Sequence, residues 1–360
     1  MAWQVAHELR RQGEDVTIVA READSAEGIA ILRVPASHRK SPLRALAFSR
    51  SAAQATRERS FDIVHSFSRT RHQDLYRAGG GSHEDYLRRT FSPIGQAFRR
   101  LLPRHRSLLA LERQVFADPG QRIQCASHLV ADRLRERHGV ERERILLLPN
   151  AVDAHRFDAS RQRDAAQQLR RALDARAQTI WLFPASGWRR KGLDLCLDAI
   201  ARVADPGLRL WIAGRDDPGP WRRRAARAGL GESVRFLGPR RDLEVVYAAV
   251  DGMLLPTRYD AFANVTFEAA AAGLPIVTSR ANGAADWLSS AACRVVDDPG
   301  PEALAAALGD LADPEARRKL GESARREVAA YHWPGHVAEL RAEYRRIAAV
   351  RNARGPQALR

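Results

Sequence analysis

Between Gly252 and Ser279 the chain changes its hydrophobic rhythm three times, and few folds accept that order. An apolar run, Gly252 to Leu255, ends at Pro256, and a polar loop carrying Arg258 and Asp260 follows. From Ala263 the spacing of Val265, Phe267, Ala269 and Ala270 is helical; it stops at Gly273-Leu274-Pro275, and Ile276-Val277-Thr278 is again apolar. Strand, loop, helix, strand is one βαβ crossover of an open parallel sheet. The loop before the helix falls at the carboxyl edge of such a sheet, where these folds bind ligands. The backbone N–H groups of Ala263, Asn264 and Val265 are expected to be unpaired at the helix start and to suit a phosphate. Seven residues separate Asp260 from Glu268. Asp260 also reads as an ordinary loop acid and Glu268 as a solvated helix residue. A carboxylate among alanines packed on a sheet, however, is costly unless something polar meets it.

The same β/α alternation runs through the chain. A helix over Met1 to Gln12 leads to a strand at Asp15–Ala20, and a second strand is expected at Ile29–Val34. Further strands are expected at Phe61–Ser66, ending in His65, and at Asp74–Ala78, ending in Gly79-Gly80-Gly81-Ser82-His83. Glycines at a strand's carboxyl end let backbone approach a ligand, or serve only as a turn. His65 and His83 read either as core or capping histidines or as site residues. Tyr86 to Phe116 reads as one long basic helix with arginines interleaved among apolar residues, either a solvated face or one suited to an anionic membrane. The polar stretch Asn150–Ser160 marks a junction. The expected division is an amino-terminal Rossmann-like domain over 1–152, a second over 153–330, and a terminal helix over 331–360 that packs back on the first.

Charge narrows the partners. The 360 residues carry a formal net charge of +16, almost all of it arginine, since lysine occurs only at Lys40, Lys191 and Lys319. Such an excess points to an anionic partner. Cys125, Cys196 and Cys293 form no C-x-x-C pair, which fits free thiols in a reducing compartment. No apolar run is long enough to span a bilayer and no signal peptide opens the chain. Phosphate-loop and dinucleotide-loop glycine patterns are absent, as are metal-ligand clusters; Asp216-Asp217 and Asp297-Asp298 precede prolines and read as turns. Nucleic acid would rest on charge alone, so none is expected.

Arg190 and Lys191 open a helix after the strand Thr179–Ala185. Two cations and two helix starts at one sheet edge suit a diphosphate, and Lys191 would neutralise a departing phosphate. Glu268 could accept from a ribose and Asp260 from sugar hydroxyls, which together make a nucleotide-sugar site.

These residues also carry a resemblance. Asp260 and Glu268, Pro149-Asn150-Ala151-Val152-Asp153, Arg190-Lys191-Gly192 and Ala271-Ala272-Gly273-Leu274-Pro275 resemble the retaining GT-B glycosyltransferases of family 4. The stretch His65–Asp74 with Tyr76–Gly81 is similar to the lipopolysaccharide core glucosyltransferase type within it. The resemblance implies an α/β GT-B fold, with two Rossmann-like domains facing across a cleft, and hexosyl transfer, most simply glucose from UDP-glucose to an inner-core heptose. Alternatives are another donor or acceptor for capsule or exopolysaccharide, or an inactive sugar-nucleotide binder. Arg190, Lys191, Glu268, Arg156, Asn264, Ala263 and Val265 would hold the donor. Asp260, Lys191 and His83 would serve the chemistry, and His65, Gly80 and Gly81 would lie on the acceptor side. Neither metal nor other cofactor is implied. The implied partners are a nucleotide-sugar donor, a lipid-linked saccharide acceptor and the anionic cytoplasmic face of an inner membrane. The first acid of the family pair is commonly Glu and here is Asp260. Family members also place a strand and a glycine-rich loop before the helix at Met1, so that strand and loop are expected to be missing.

Overall fold

The structure is a computed structural model that describes residues 1–25, 27–35, 42–175 and 177–354. The chain divides into two compact units, one of residues 1–150 with 333–360 and one of residues 151–332.

In the first unit α1 (Ala2–Arg11) leads to β1 (Thr17–Ala20) and β2 (Ala30–Arg33), a parallel pair. After α2 (Arg44–Arg57) come β3 (His65–Ser66) and β4 (Leu75–Arg77). Then follow α3 (His83–Thr90), α4 (Pro93–Leu101), α5 (Pro103–Ala117), β5 (Arg122–Cys125), α6 (His128–His138) and β6 (Ile145–Leu147). Strands β3 to β6 make a second parallel sheet in the order β3-β4-β5-β6, separate from β1-β2.

The single basic helix expected over Tyr86–Phe116 is three. Pro93 and Pro103 each take a first-turn position, where a missing N–H costs nothing, and so start new helices rather than continue the old one. Ser82 and Ser92 cap α3 and α4 by accepting from Asp85 N and Gly95 N. The strand expected over Phe61–Ser66 pairs only at His65 and Ser66.

The second unit runs α7 (Arg163–Ala172), β7 (Thr179–Pro184), α8 (Trp188–Lys191), α9 (Leu193–Val203), β8 (Leu208–Ala213), α10 (Gly219–Arg227), β9 (Val234–Gly238), α11 (Leu243–Ala248), β10 (Gly252–Leu255), α12 (Asn264–Ala271), β11 (Ile276–Ser279), β12 (Arg294–Val296), α13 (Pro301–Gly309) and α14 (Pro314–Val328). Its six strands are all parallel in the order β12-β11-β10-β7-β8-β9. Strand β7 comes first in the chain and lies beside β10, so the winding reverses between them. Loops leaving the carboxyl ends of β7 and β10 therefore flank the switch point where doubly wound sheets bind ligands. Ile180 to Phe183 and Gly252 to Leu255 are wholly buried, the continuous apolar runs that a sheet covered on both faces requires. A Cβ at Gly252 would fall 2.7 Å from the Trp181 ring, so only glycine lets the neighbouring strand carry that tryptophan.

The last helix, α15 (Trp333–Arg354), belongs to the first unit. Leu340 joins Val5, Leu75 and Leu148 in one buried cluster. Glu343, 2% exposed, accepts from Arg122 Nε at 2.5 Å, and His336 Nδ1 lies 2.8 Å from the Pro149 carbonyl.

Candidate active site

Two loops of the second unit are tied into one structure at the switch point. The loop after β7 turns through Gly187 into α8, whose last residues are Arg190 and Lys191, and Gly192 (φ 85°) ends it. A Cβ on Gly192 would meet the Pro256 carbonyl oxygen at 2.2 Å, so this glycine lets the two loops touch. Arg258 N donates to the Arg190 carbonyl at 2.9 Å. The Arg258 guanidinium grips Asp194 with two bonds of 2.8 Å, and Arg190 Nη1 donates to the Tyr259 carbonyl at 2.6 Å. Lys191 Nζ is ion-paired with Asp260, whose carboxylate also lies 3.7 Å from Arg190. Burial, and then the Arg190 charge, push the Lys191 ammonium down to about 7, while the Asp260 carboxylate beside it favours the charged form.

Asp260 is held from the next loop. Its N–H donates to the Ala281 carbonyl and its carbonyl accepts from Gly283 N, both at 2.9 Å. Asn282, fully buried, is the centre of this arrangement. Its Nδ2 donates to Thr266 and Thr278 hydroxyls at 2.8 and 3.1 Å, and its Oδ1 accepts from Ala284 N and Ala263 N. That last bond corrects the sequence expectation. The Ala263 N–H at the start of α12 is not open to an anion; a side chain from the following loop has taken it. Asn264 stands exposed at the first position of α12, with Val265 half-buried behind it.

Glu268 lies in the second turn of α12 and meets the polar group its position demands: Tyr247 Oη donates to it at 3.0 Å. Burial raises the Glu268 carboxyl above the usual range, and the Tyr247 bond and the Arg156 charge oppose the rise. Arg156 belongs to this unit and reaches Glu268 through its field, while its guanidinium is paired with Glu244 at 2.9 Å.

The first unit carries its own loop at a strand's carboxyl end, Gly79 to His83 after β4. The three glycines have different reasons. A Cβ on Gly79 would strike the Arg77 guanidinium at 1.8 Å; Gly80 faces open space; Gly81 has φ 66°. His83 begins α3, with Nε2 placed 2.9 Å from His105 Nδ1, and burial followed by the Arg69 charge pushes it down to about 4, so it is neutral at neutral pH. His65 sits elsewhere. Its Nδ1 lies 2.7 Å from the Tyr344 hydroxyl of α15, and its ring packs on Phe67 and Tyr344, on the sheet face rather than in the glycine loop.

Sequence reading missed the residue that anchors the glycine loop. Glu112, 1% exposed in α5, accepts from Ser82 Oγ at 2.7 Å, His83 N at 2.6 Å and Arg69 Nε at 3.1 Å. Arg69 Nη2 donates in turn to the Gly81 carbonyl at 2.9 Å. Asn282 and Tyr247 were missed as well. The signal for Asn282 was present in Asn282-Gly283, an amide–glycine pair just beyond a buried strand.

Comparison with known proteins decides the family. The model described as Glycosyltransferase Family 4 matches residues 1–156, and that described as Glycosyl transferases group 1 matches residues 178–314. The chain belongs to the family 4 glycosyltransferases. It is 24% identical to the lipopolysaccharide glucosyltransferase WaaG of Escherichia coli K12 over 90% of this chain and 84% of that one. It is 31% identical to a D-inositol 3-phosphate glycosyltransferase of Corynebacterium urealyticum over 61% of this chain, a match spanning 54% of that relative's length. The crystal structure of WaaG superposes with a TM-score of 0.81 at 23% identity, covering 94% of each chain. Sucrose-phosphate synthase of Thermosynechococcus elongatus gives 0.79 at 22% identity, covering 97% of this chain and 93% of that one. These likenesses establish a GT-B type of fold for this family 4 chain.

Proposed function

We propose that this family 4 glycosyltransferase is a retaining hexosyltransferase that moves glucose from UDP-glucose to a heptose of the lipopolysaccharide inner core. The observation that carries the reading is the grouping of Arg190, Lys191 and Asp260 between β7 and β10, with Glu268 in the second turn of the following helix. In this reading the two cations take the donor diphosphate, and Lys191 exchanges its Asp260 partner for phosphate oxygens when donor binds. Asp260, released, accepts from the sugar hydroxyls, and Glu268 accepts from the ribose as it now accepts from the Tyr247 hydroxyl. As the glycosidic bond breaks, Lys191 stabilises charge on the leaving phosphate, and that phosphate takes the acceptor proton on the same face. Neutral His83 contributes a hydrogen bond rather than a charge. No metal ion is required by these roles.

Similarity to WaaG over most of both chains favours the lipopolysaccharide acceptor. A surface feature favours a lipid-borne one: α4 exposes Ile94, Phe98 and Leu101 (85, 63 and 72%) beside Arg99 and Arg100. Apolar residues flanked by arginines suit the anionic cytoplasmic face of an inner membrane. Among the described residues no helix is long and apolar enough to cross one.

A donor panel tests the reading. UDP-glucose should be consumed well ahead of UDP-galactose and GDP-mannose with a heptose-terminated core acceptor, giving an α-linked product by NMR and no loss in EDTA. Preferred use of another donor, or an inverted product, would overturn it.

A further inference from the structure

The stretch His65–Asp74 contains a cation that neither the fold nor the proposed chemistry uses. Between β3 and β4, Ser66 bonds Ser68 and Thr70, Arg69 holds Glu112, His72 lies 3.0 Å from the Thr56 hydroxyl, and Gln73 bonds Gln121. Arg71 has no ion pair among the described residues and is exposed. It lines a cavity of about 620 Å³ with Arg50, Gln54, Arg57 and Glu58 of α2 and the turn after it, and Gln114 of α5.

The position is definite. Arg57 ends α2 before β3, Arg71 precedes β4, and Gln114 is in the last turn of α5 before β5. The strands are parallel, so these residues gather at their amino ends, the sheet edge opposite Gly79–His83. Arg50, Gln54 and Arg57 are spaced by four and three, one stripe on α2. Neither Arg50 nor Arg57 has an ion pair among the described residues. The nearby carboxylate, Glu58, is occupied by Gln54 Nε2 at 2.7 Å. A cation in the last turn of a helix is ordinary and accounts for Arg57 alone. It does not account for Arg50 or for Arg71 on a separate loop. Three exposed guanidiniums against the one Glu58 carboxylate leave the cavity lining net positive, which favours an anion.

We propose that this cavity is a second anion site, separate from the donor site, for a ligand carrying two or more phosphoryl groups. Its volume lies in the range of small-ligand sites and far exceeds a single phosphate. Three forked donors match several phosphate oxygens, and Gln114 offers a neutral amide to an ester or hydroxyl.

The test uses the full chain carrying Lys191→Ala, so that the donor site does not dominate binding. Isothermal titration with inorganic tripolyphosphate should show one site, and adding Arg50→Gln, Arg57→Gln and Arg71→Gln should weaken it at least roughly tenfold. A control with Arg163→Gln, Arg171→Gln and Arg227→Gln removes the same charge from exposed positions and should leave affinity within about twofold at moderate salt. Flotation on vesicles of phosphatidylcholine with phosphatidylglycerol separates the sources. Loss of flotation in the α2-face variant assigns the site to lipid phosphates, and unchanged flotation assigns it to a free phosphorylated ligand. Equal weakening by both triples, or no tripolyphosphate binding in the Lys191→Ala chain, would overturn the proposal. Circular dichroism confirms that these surface variants fold.

Discussion

The two joined connections that carry Arg190 with Lys191 and Asp260, and the loop of Gly79 to His83, occupy equivalent places in their sheets, beyond the carboxyl ends of strands. They are stabilised in opposite ways. In the second unit the charges satisfy one another in side-chain pairs, Lys191 with Asp260 and Arg258 with Asp194. In the first unit the charge is underneath: Glu112 and Arg69 hold backbone groups, the exposed part of the loop is Gly80, and neutral His83 is buried. In the proposed function the Lys191–Asp260 pair trades partners for a ligand. A buried carboxylate under a helix start cannot, because leaving Arg69 or the N–H groups unpaired costs more than any contact the loop could gain. On the proposed function, the first of these exchanges its contacts and the other keeps them.

Three measurements press on that contrast, in falling order of expected effect. Lys191→Ala should lower kcat/KM by about 100-fold or more, the scale for losing a group aimed at transition-state charge, with little change in melting temperature. Retained transfer would show that the exchangeable pair is not the catalytic cation. Glu112→Ala should do the reverse, destabilising the first unit by about 3 kcal/mol, since it strands Arg69 and two helix-start N–H groups, while donor affinity in the second unit holds. An unchanged unfolding midpoint in denaturant would remove Glu112 from this role. The smallest effect is with pH. Lys191 titrates near 7 in the folded chain and its cation is the form that binds diphosphate. Donor affinity should therefore fall up to about tenfold between pH 6 and 8 as the proton leaves. Stability of the ligand-free chain runs the other way. The unfolded lysine keeps its proton to about pH 10, so between 7 and 10 the unfolded state binds more protons and stability rises with pH. Affinity and stability moving in the same direction would refute the assignment of that titration to Lys191.

The alternation of elements was legible because apolar period and glycine or proline stops coincide in most segments. It also placed Arg190, Lys191 and Asp260 in adjoining β/α connections and Glu268 in the helix that follows, since parallel crossovers put every such connection on one edge. What escaped the reading were contacts made by residues distant in the chain. Asn282 takes the Ala263 N–H from nineteen positions away. Glu112 sits in a helix whose other residues read as a basic face, and nothing local distinguishes a buried anchor from a solvated acid. The separate helices α3, α4 and α5 were concealed because proline at a first turn and proline inside a helix look alike until the preceding residues are known to be extended; Ser92 and Leu102 are.

The assignment of Trp333–Arg360 to the first unit has a consequence for synthesis. A ribosome delivers residues 1–150 long before their covering helix exists, so Leu75, Leu148 and the His65 ring must wait uncovered while the whole second unit emerges and folds. Maturation of the first unit is thereby deferred until α15 has emerged. A stop codon after residue 332 would spare the second unit and leave the first without its lid, an invitation to proteolysis or aggregation.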